Sequence, residues 1–167
     1  MSVETRVEPL AGALPSVVWR WDPETEILSG SFTSSHRPGG YTGTVELTDD
    51  EGSIAVVDVD AGCVRGLDIV VWPELVEVAA LAVPAAARVG IITMGARASQ
   101  PGVASLELDT ALSLAANPAR SLFHLRIGPR RQVEAIRIAD SLVVDVDQKR
   151  RLAGFWLENV PGLSDQG

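Results

Sequence analysis

Residues 54–60 read Ile54-Ala55-Val56-Val57-Asp58-Val59-Asp60, and residues 141–147 read Ser141-Leu142-Val143-Val144-Asp145-Val146-Asp147. Both end in Val-Val-Asp-Val-Asp. A short β-branched run bounded by turn formers reads as a strand. Side chains alternate between the two faces of a strand. Val57 and Val59 therefore share one face and Val56 and Asp58 the other; Val144 and Val146 oppose Val143 and Asp145 in the same way. The purely apolar face is expected to be buried, with Val57 and Val144 in the core.

Other landmarks recur around these two stretches in one order. Upstream, Trp21-Asp22-Pro23 corresponds to Ala116-Asn117-Pro118, and Ile27-Leu28 to Leu122-Phe123. Val45-Glu46 corresponds to Val133-Glu134, Gly66-Leu67 to Gly154-Phe155, and Pro73-Glu74-Leu75 to Pro161-Gly162-Leu163. A repeated order of landmarks reads as an internal duplication. The chain divides into a leader (1–15), a first β unit (16–75), a connecting segment (76–111), a second β unit (112–163) and a tail (164–167). Each unit reads as hairpin, strand, hairpin.

The remaining strands follow from β-branched and aromatic runs between breakers. They are Ser16–Trp21, Glu26–Phe32, Tyr41–Thr48, Val64–Trp72, Val89–Met94, Ser105–Ala115, Leu122–Ile127, Gln132–Ile138 and Leu152–Val160. The segment Pro73–Ala87 is ambiguous; its Ala and Leu content favours a short helix with Pro73 at the first position. The expected fold class is mainly β: antiparallel sheets from two pseudo-repeated four-strand units, packed as a sandwich or barrel-like unit, with one or two short helices. A four-strand unit has one apolar face and little of its own to bury it against, so the two units are expected to cover each other.

This order of motifs resembles a family of small bacterial domains of unknown function. Its members read roughly Tyr-Asp-Pro-x-x-Asp-x-Leu-Tyr-Ile, then an acidic strand, then Val-Asp-x-Asp-x-x-Gly-x-Val-x-Gly-Ile-Glu-Ile. The first unit matches with Trp21-Asp22-Pro23, Val57-Asp58-Val59-Asp60 and Gly66-Leu67-Asp68-Ile69. The second matches with Asn117-Pro118, Val144-Asp145-Val146-Asp147 and Gly154-Phe155-Trp156-Leu157, departing at Asn117 and in the basic turn Gln148-Lys149-Arg150. The resemblance covers about two thirds of the chain. It implies a tandem duplication of this β unit and brings no established chemistry.

Composition narrows the function classes. The 167 residues carry 22 acidic and 14 basic side chains, a formal charge of −8. That balance disfavours a grip on nucleic acid or on an anionic membrane surface. Cys63 is the only cysteine, which excludes an internal disulfide and a cysteine-based structural zinc site. Neither Val78–Ala87 nor Val89–Ala96 reaches the ~20 residues of a spanning helix, and the N-terminus lacks a signal-like apolar core. A bacterial, cytoplasmic protein is the expectation, as a monomer or homodimer.

Candidate chemistry is sparse. Asp58/Asp60 and Asp145/Asp147 have the two-residue spacing that places carboxylates on one face of a strand. Asp60 and Asp147 stand where turns need capping carboxylates, so these pairs are read as structural and no metal is expected. No cofactor motif occurs. The catalytic candidates are His36 and Tyr41, in and beside a Ser-His-Arg loop, and His124 on a predicted strand. The binding candidates are Trp19, Trp21, Trp72 and Trp156, which would suit an apolar cleft. The basic turns Arg130-Arg131 and Lys149-Arg150-Arg151 have acidic counterparts, Asp49-Asp50-Glu51, in the first unit; ordinary solvated turns are the expectation, and an asymmetry that orients the halves or marks a partner surface is the alternative.

The leading expectation is a non-catalytic module that binds an apolar small molecule or a protein partner. One alternative is a cofactor-free, cyclase-like β-barrel enzyme of bacterial secondary metabolism with a Trp-lined pocket. The other is an immunity or antitoxin-like protein whose acidic surface covers a basic partner.

Overall fold

The computed structural model describes residues 4–34, 39–40, 42–85, 87–94 and 105–161. In chain order the strands are β1 (Thr5–Glu8), β2 (Val18–Asp22), β3 (Ile27–Ser31), β4 (Gly43–Thr48), β5 (Ile54–Asp60), β6 (Cys63–Val71), β7 (Leu75–Glu77) and β8 (Arg88–Val89). They continue with β9 (Ile91–Met94), β10 (Ser105–Asp109), β11 (Leu112–Ala116), β12 (Phe123–Ile127), β13 (Val133–Ala139), β14 (Leu142–Asp147) and β15 (Leu152–Leu157). Among the described residues there is no helix, and none long and apolar enough to cross a membrane.

The strands form two sheets. One has the order β1-β9-β6-β5-β4-β10, with β3 also pairing β6 and β2 pairing β3. The other has the order β7-β11-β12-β15-β14-β13-β8. Most pairs are antiparallel, as short hairpin connections dictate. The exceptions lie at sheet margins, where β10 runs parallel to β4, β7 to β11 and β8 to β13. Within the first sheet β2, β3, β6, β5 and β4 are successive neighbours; within the second, β11, β12, β15, β14 and β13 are.

The inner faces of both sheets close on one core. Leu28, Val57 and Leu67 from the first sheet join Phe123, Val144 and Phe155 from the second. Val57 and Val144 have no exposed surface. Trp19 and Trp21, two apart on β2, both face inward. The Trp19 ring lies over Gly30 in the space a side chain would need, and its indole N–H donates to Glu158 O at 2.9 Å. Trp72 meets Trp21 and Phe123 edge-on, with ring centroids 6.0 and 5.7 Å apart, so aromatic contacts run from sheet to sheet.

Three expectations need correction. Pro73–Ala87 contains the strand β7 and no helix among its described residues. Its apolar residues are drawn apart, Leu75 to the inner core and Leu81, Val83 and Ala87 to a separate outer cluster; one helical stripe cannot serve both. The leader is not loose throughout: within its described residues, 4–15, β1 pairs β9, and Thr5 is buried, its N–H and hydroxyl both donating to Arg150 O. Ser105–Ala115 is two strands, because the chain leaves the first sheet after β10 and enters the second at β11. Leu108 and Leu112 lie inward on either side of that crossing.

Candidate functional site

The connection between β7 and β8 sets up the site. β7 is one edge of the second sheet and β8 is the opposite edge. The intervening segment therefore passes over the outer face as a strap. Leu81, Val83 and Ala87 press on Ala135, Val143 and Trp156, forming a second apolar cluster outside the main core. At its start Val78 N–H donates to Ala116 O at 2.8 Å, anchoring the strap to β11. Over β13, β14 and β15 the sheet is thus covered on both faces. Val143 and Asp145 are buried, whereas Val56 and Asp58, at the matching places on the first sheet, are half-buried.

Phe123, Leu125 and Ile127 turn inward on β12, so alternation sends His124 and Arg126 outward. The same rule turns Trp156 outward between Phe155 and Leu157. His124 Nε2 lies 2.9 Å from Asp145 Oδ2, and the Trp156 indole N–H donates to Asp145 Oδ1 at 3.2 Å. The imidazole stacks on Trp156, with centroids 3.9 Å apart and planes 15° apart. Both carboxylate oxygens are engaged, which a buried acid requires.

A groove of about 690 Å³ opens beside the strap. Its floor includes His124, Arg126, Ser113 and Ala115, and Val76 and Leu81 supply apolar wall. Arg126 donates to Ser113 Oγ at 3.1 Å and to Gly128 O at 3.4 Å. Burial, and then the nearby charges of Arg130 and Arg131, hold its pKa below the usual guanidinium value. Arg131 is turned instead to Asp147, at 2.8 Å. Asp49, Glu51 and Glu74 also line the groove.

Asp147 is a turn-capping group. It accepts from the backbone N–H of Lys149 and Arg151 and from the side chains of Arg131 and Arg151. Burial alone would raise its pKa; these hydrogen bonds outweigh that and hold it at about 2. Among the described residues no group of three or more His, Cys, Asp or Glu is placed to share a metal ion.

The outer face of the first sheet offers a different surface. Ser29, Asp58 and Asp68 line a second open groove of about 740 Å³, with Arg20 and Trp21. Burial, and then repulsion by Asp68, push Asp58 up to about 6. Burial also raises Asp68, against a hydrogen bond from Ser29 that lowers it.

Of the sequence candidates, His36 and Tyr41 lie outside the described residues. His124 stands at the centre of the first groove's floor. Trp156 supports its ring, whereas Trp19 and Trp72 pack between the sheets and Trp21 reaches the margin of the second groove. The four tryptophans therefore do not converge. Sequence reasoning missed Arg126 and missed Asp145 as the partner of His124. The first was accessible from the two-residue spacing of His124 and Arg126; the second needed the strand order.

No family model matches the chain, and no curated protein matches it either.

Proposed function

We propose that the protein is a non-catalytic, cytoplasmic binding module, with its ligand seated in the groove beside the strap. The observation that carries this reading is the His124–Asp145–Trp156 network. It fixes polar groups in advance on the floor of an open groove large enough for a small organic molecule. Preorganisation of this kind lowers the entropic cost of binding.

A specific observation favours a second reading. An imidazole oriented by a buried carboxylate is the geometry of a general base. On this view the protein is a cofactor-free enzyme acting on a molecule in the same groove.

We also propose that the two sheets are copies of one unit, as the resemblance to a duplicated bacterial domain implies. The matching neighbour orders support it, as do two local details. Asp58 faces Gly66 and Asp145 faces Gly154 across the ladder, and in both sheets the register shifts directly after the aspartate. Asp22 and Asn117, the paired turn residues, also cap their turns alike through side-chain oxygens.

The experiment is a small-molecule screen read by NMR, with the His124 ring and Trp156 indole signals as reporters. Compounds that shift these signals, and lose binding when Ala115→Trp fills the floor, support the groove reading. Hits that map elsewhere overturn it. Turnover of a bound compound, abolished by His124→Ala, replaces the binding reading with the enzymatic one.

A further inference from the structure

We infer that the outer face of the first sheet docks a basic segment of a partner protein, laid across β4, β5 and β6 with an aliphatic side chain on Val56 and basic side chains on the carboxylates around it. This surface belongs to a different sheet from the groove beside the strap and stands or falls apart from it. Alternation defines the face. Val45 and Leu47 on β4, Ala55, Val57 and Val59 on β5, and Leu67 and Ile69 on β6 turn into the core, so Glu46, Val56, Asp58 and Asp68 turn outward. On β10, Leu106 and Leu108 face the core and Glu107 faces solvent. The register then sets these side chains in a row. Glu107, Glu46, Val56 and Asp68 lie in line across β10, β4, β5 and β6. Asp58, opposite Gly66, stands diagonally from Asp68.

Like charges are therefore close together. Glu46 and Glu107 face each other on adjacent strands, about 5 Å apart in strand spacing. Repulsion from Asp68 adds to burial in raising Asp58. Among the described residues the arginine ion pairs use other acids, Glu134, Asp147 and Glu158. Arg20, in the same row, stands two strands beyond Asp68. Such a patch repels phosphate and anionic lipid and attracts Lys and Arg side chains.

The second sheet shows how a face of this kind is covered. Val143 lies two residues before Asp145, as Val56 lies two before Asp58, and Leu81 and Val83 of the strap cluster with Val143. Val56 belongs to neither apolar cluster of the described residues and stays half-buried. An aliphatic side chain set on Val56 gains there what the strap gives Val143, while the carboxylates select basic residues on either side of it. From Glu107 to Asp68 is three strand spacings, about 14 Å, close to the span from residue i to i+4 of an extended segment. A polypeptide supplies apolar contact and spaced positive charge together; a lone cation supplies only charge.

The test uses the full chain and methyl NMR at Val56 and Val70. The probes are the peptide acetyl-Gly-Lys-Ser-Val-Ser-Lys-Gly-amide, a version with Glu for both lysines and a version with Ala for the valine. The lysine peptide should shift both methyl signals, the alanine version should bind about threefold more weakly, and the glutamate version should leave the signals unmoved. Glu46→Gln combined with Glu107→Gln should weaken the lysine peptide about tenfold, the effect of two exposed ion pairs. Glu24→Gln combined with Glu77→Gln removes the same charge from exposed acids elsewhere and should leave binding unchanged. Equal weakening by the two double variants, equal binding of the alanine version, or no shift with the lysine peptide overturns the docking face. Shifts reproduced by calcium chloride would make the patch a cation site, and shifts that follow protein concentration alone would make it a contact between copies; either outcome removes the partner segment.

Discussion

His124 and Asp145 are in contact although their strands are not neighbours. His124 is on β12 and Asp145 on β14, with β15 between them. The two side chains meet at 2.9 Å above Gly154 of β15. A Cβ at Gly154 would lie 2.7 Å from Leu125 O and 3.1 Å from Asp145 Oδ2. The first obstacle is backbone and cannot move aside cheaply. Gly154→Ala is therefore expected to destabilise the fold by about 1–3 kcal/mol, the usual cost of overpacking. It should also separate the imidazole from the carboxylate. Thermal unfolding and the His124 ring shifts check the two effects, and an unchanged ring environment would contradict the contact's dependence on this glycine.

The aspartates give stability two opposite pH dependences. Asp58 has a folded pKa raised to about 6, so between its ordinary value near 4 and pH 6 the folded state holds a proton that the unfolded state has lost. Its ionisation makes stability fall as pH rises through that window. Asp147, held at about 2, contributes stability above its ordinary value that is lost as pH falls toward 2. Asp58→Asn should remove the decline between pH 4 and 6 and raise the melting temperature at pH 7. An unaltered profile in this variant would refute the assignment to Asp58.

Asp147 joins the second sheet's last hairpin to the 128–132 turn through Arg131 and closes its own hairpin turn on Arg151. Its removal leaves two backbone N–H groups and two guanidinium groups without their shared acceptor. Asp147→Ala should cost about 3 kcal/mol, measured by denaturant unfolding. Its oxygens, like those of Asp145, are already used by protein donors, so calcium, magnesium or zinc should not raise the melting temperature. A reproducible rise that disappears in Asp145→Asn would overturn that expectation.

How legible this architecture was depended on the range of the interaction. Alternation in Val56–Val59 and Val143–Val146 revealed inward faces, because an inward valine is a local property of its strand. The hairpin turns were legible through Asp22-Pro23 and Asn117-Pro118, whose side chains act within a few residues. The strap was not legible: Leu81 and Val83 look like helix formers until the distant Val143 and Trp156 are known to lie beneath them. β1 was missed for a similar reason, since four residues gain their strand conformation from β9, more than eighty positions away. His124 was a candidate from its residue type, but its chemistry depends on Asp145 two strands across and on a glycine that leaves the space between them.

Val56 and Val143 test whether the strap contributes stability. They precede Asp58 and Asp145 by two residues and face outward on β5 and β14. Val143 has no exposed surface and packs in the cluster that includes Leu81 and Val83; Val56 is half-buried on an uncovered face. Truncation of a buried valine loses both transfer energy and packing, about 1–2.5 kcal/mol, whereas a surface substitution usually stays within about 0.5 kcal/mol. Val143→Ala should therefore destabilise the protein clearly more than Val56→Ala. In a Leu81→Ala background the cost of Val143→Ala should shrink, because the partner side chain is already gone. A double-mutant cycle measures this directly. Equal costs for the two valines, or strict additivity with Leu81→Ala, would mean that the strap only rests on the sheet, and the wall it gives the groove would then be too loose to position a ligand.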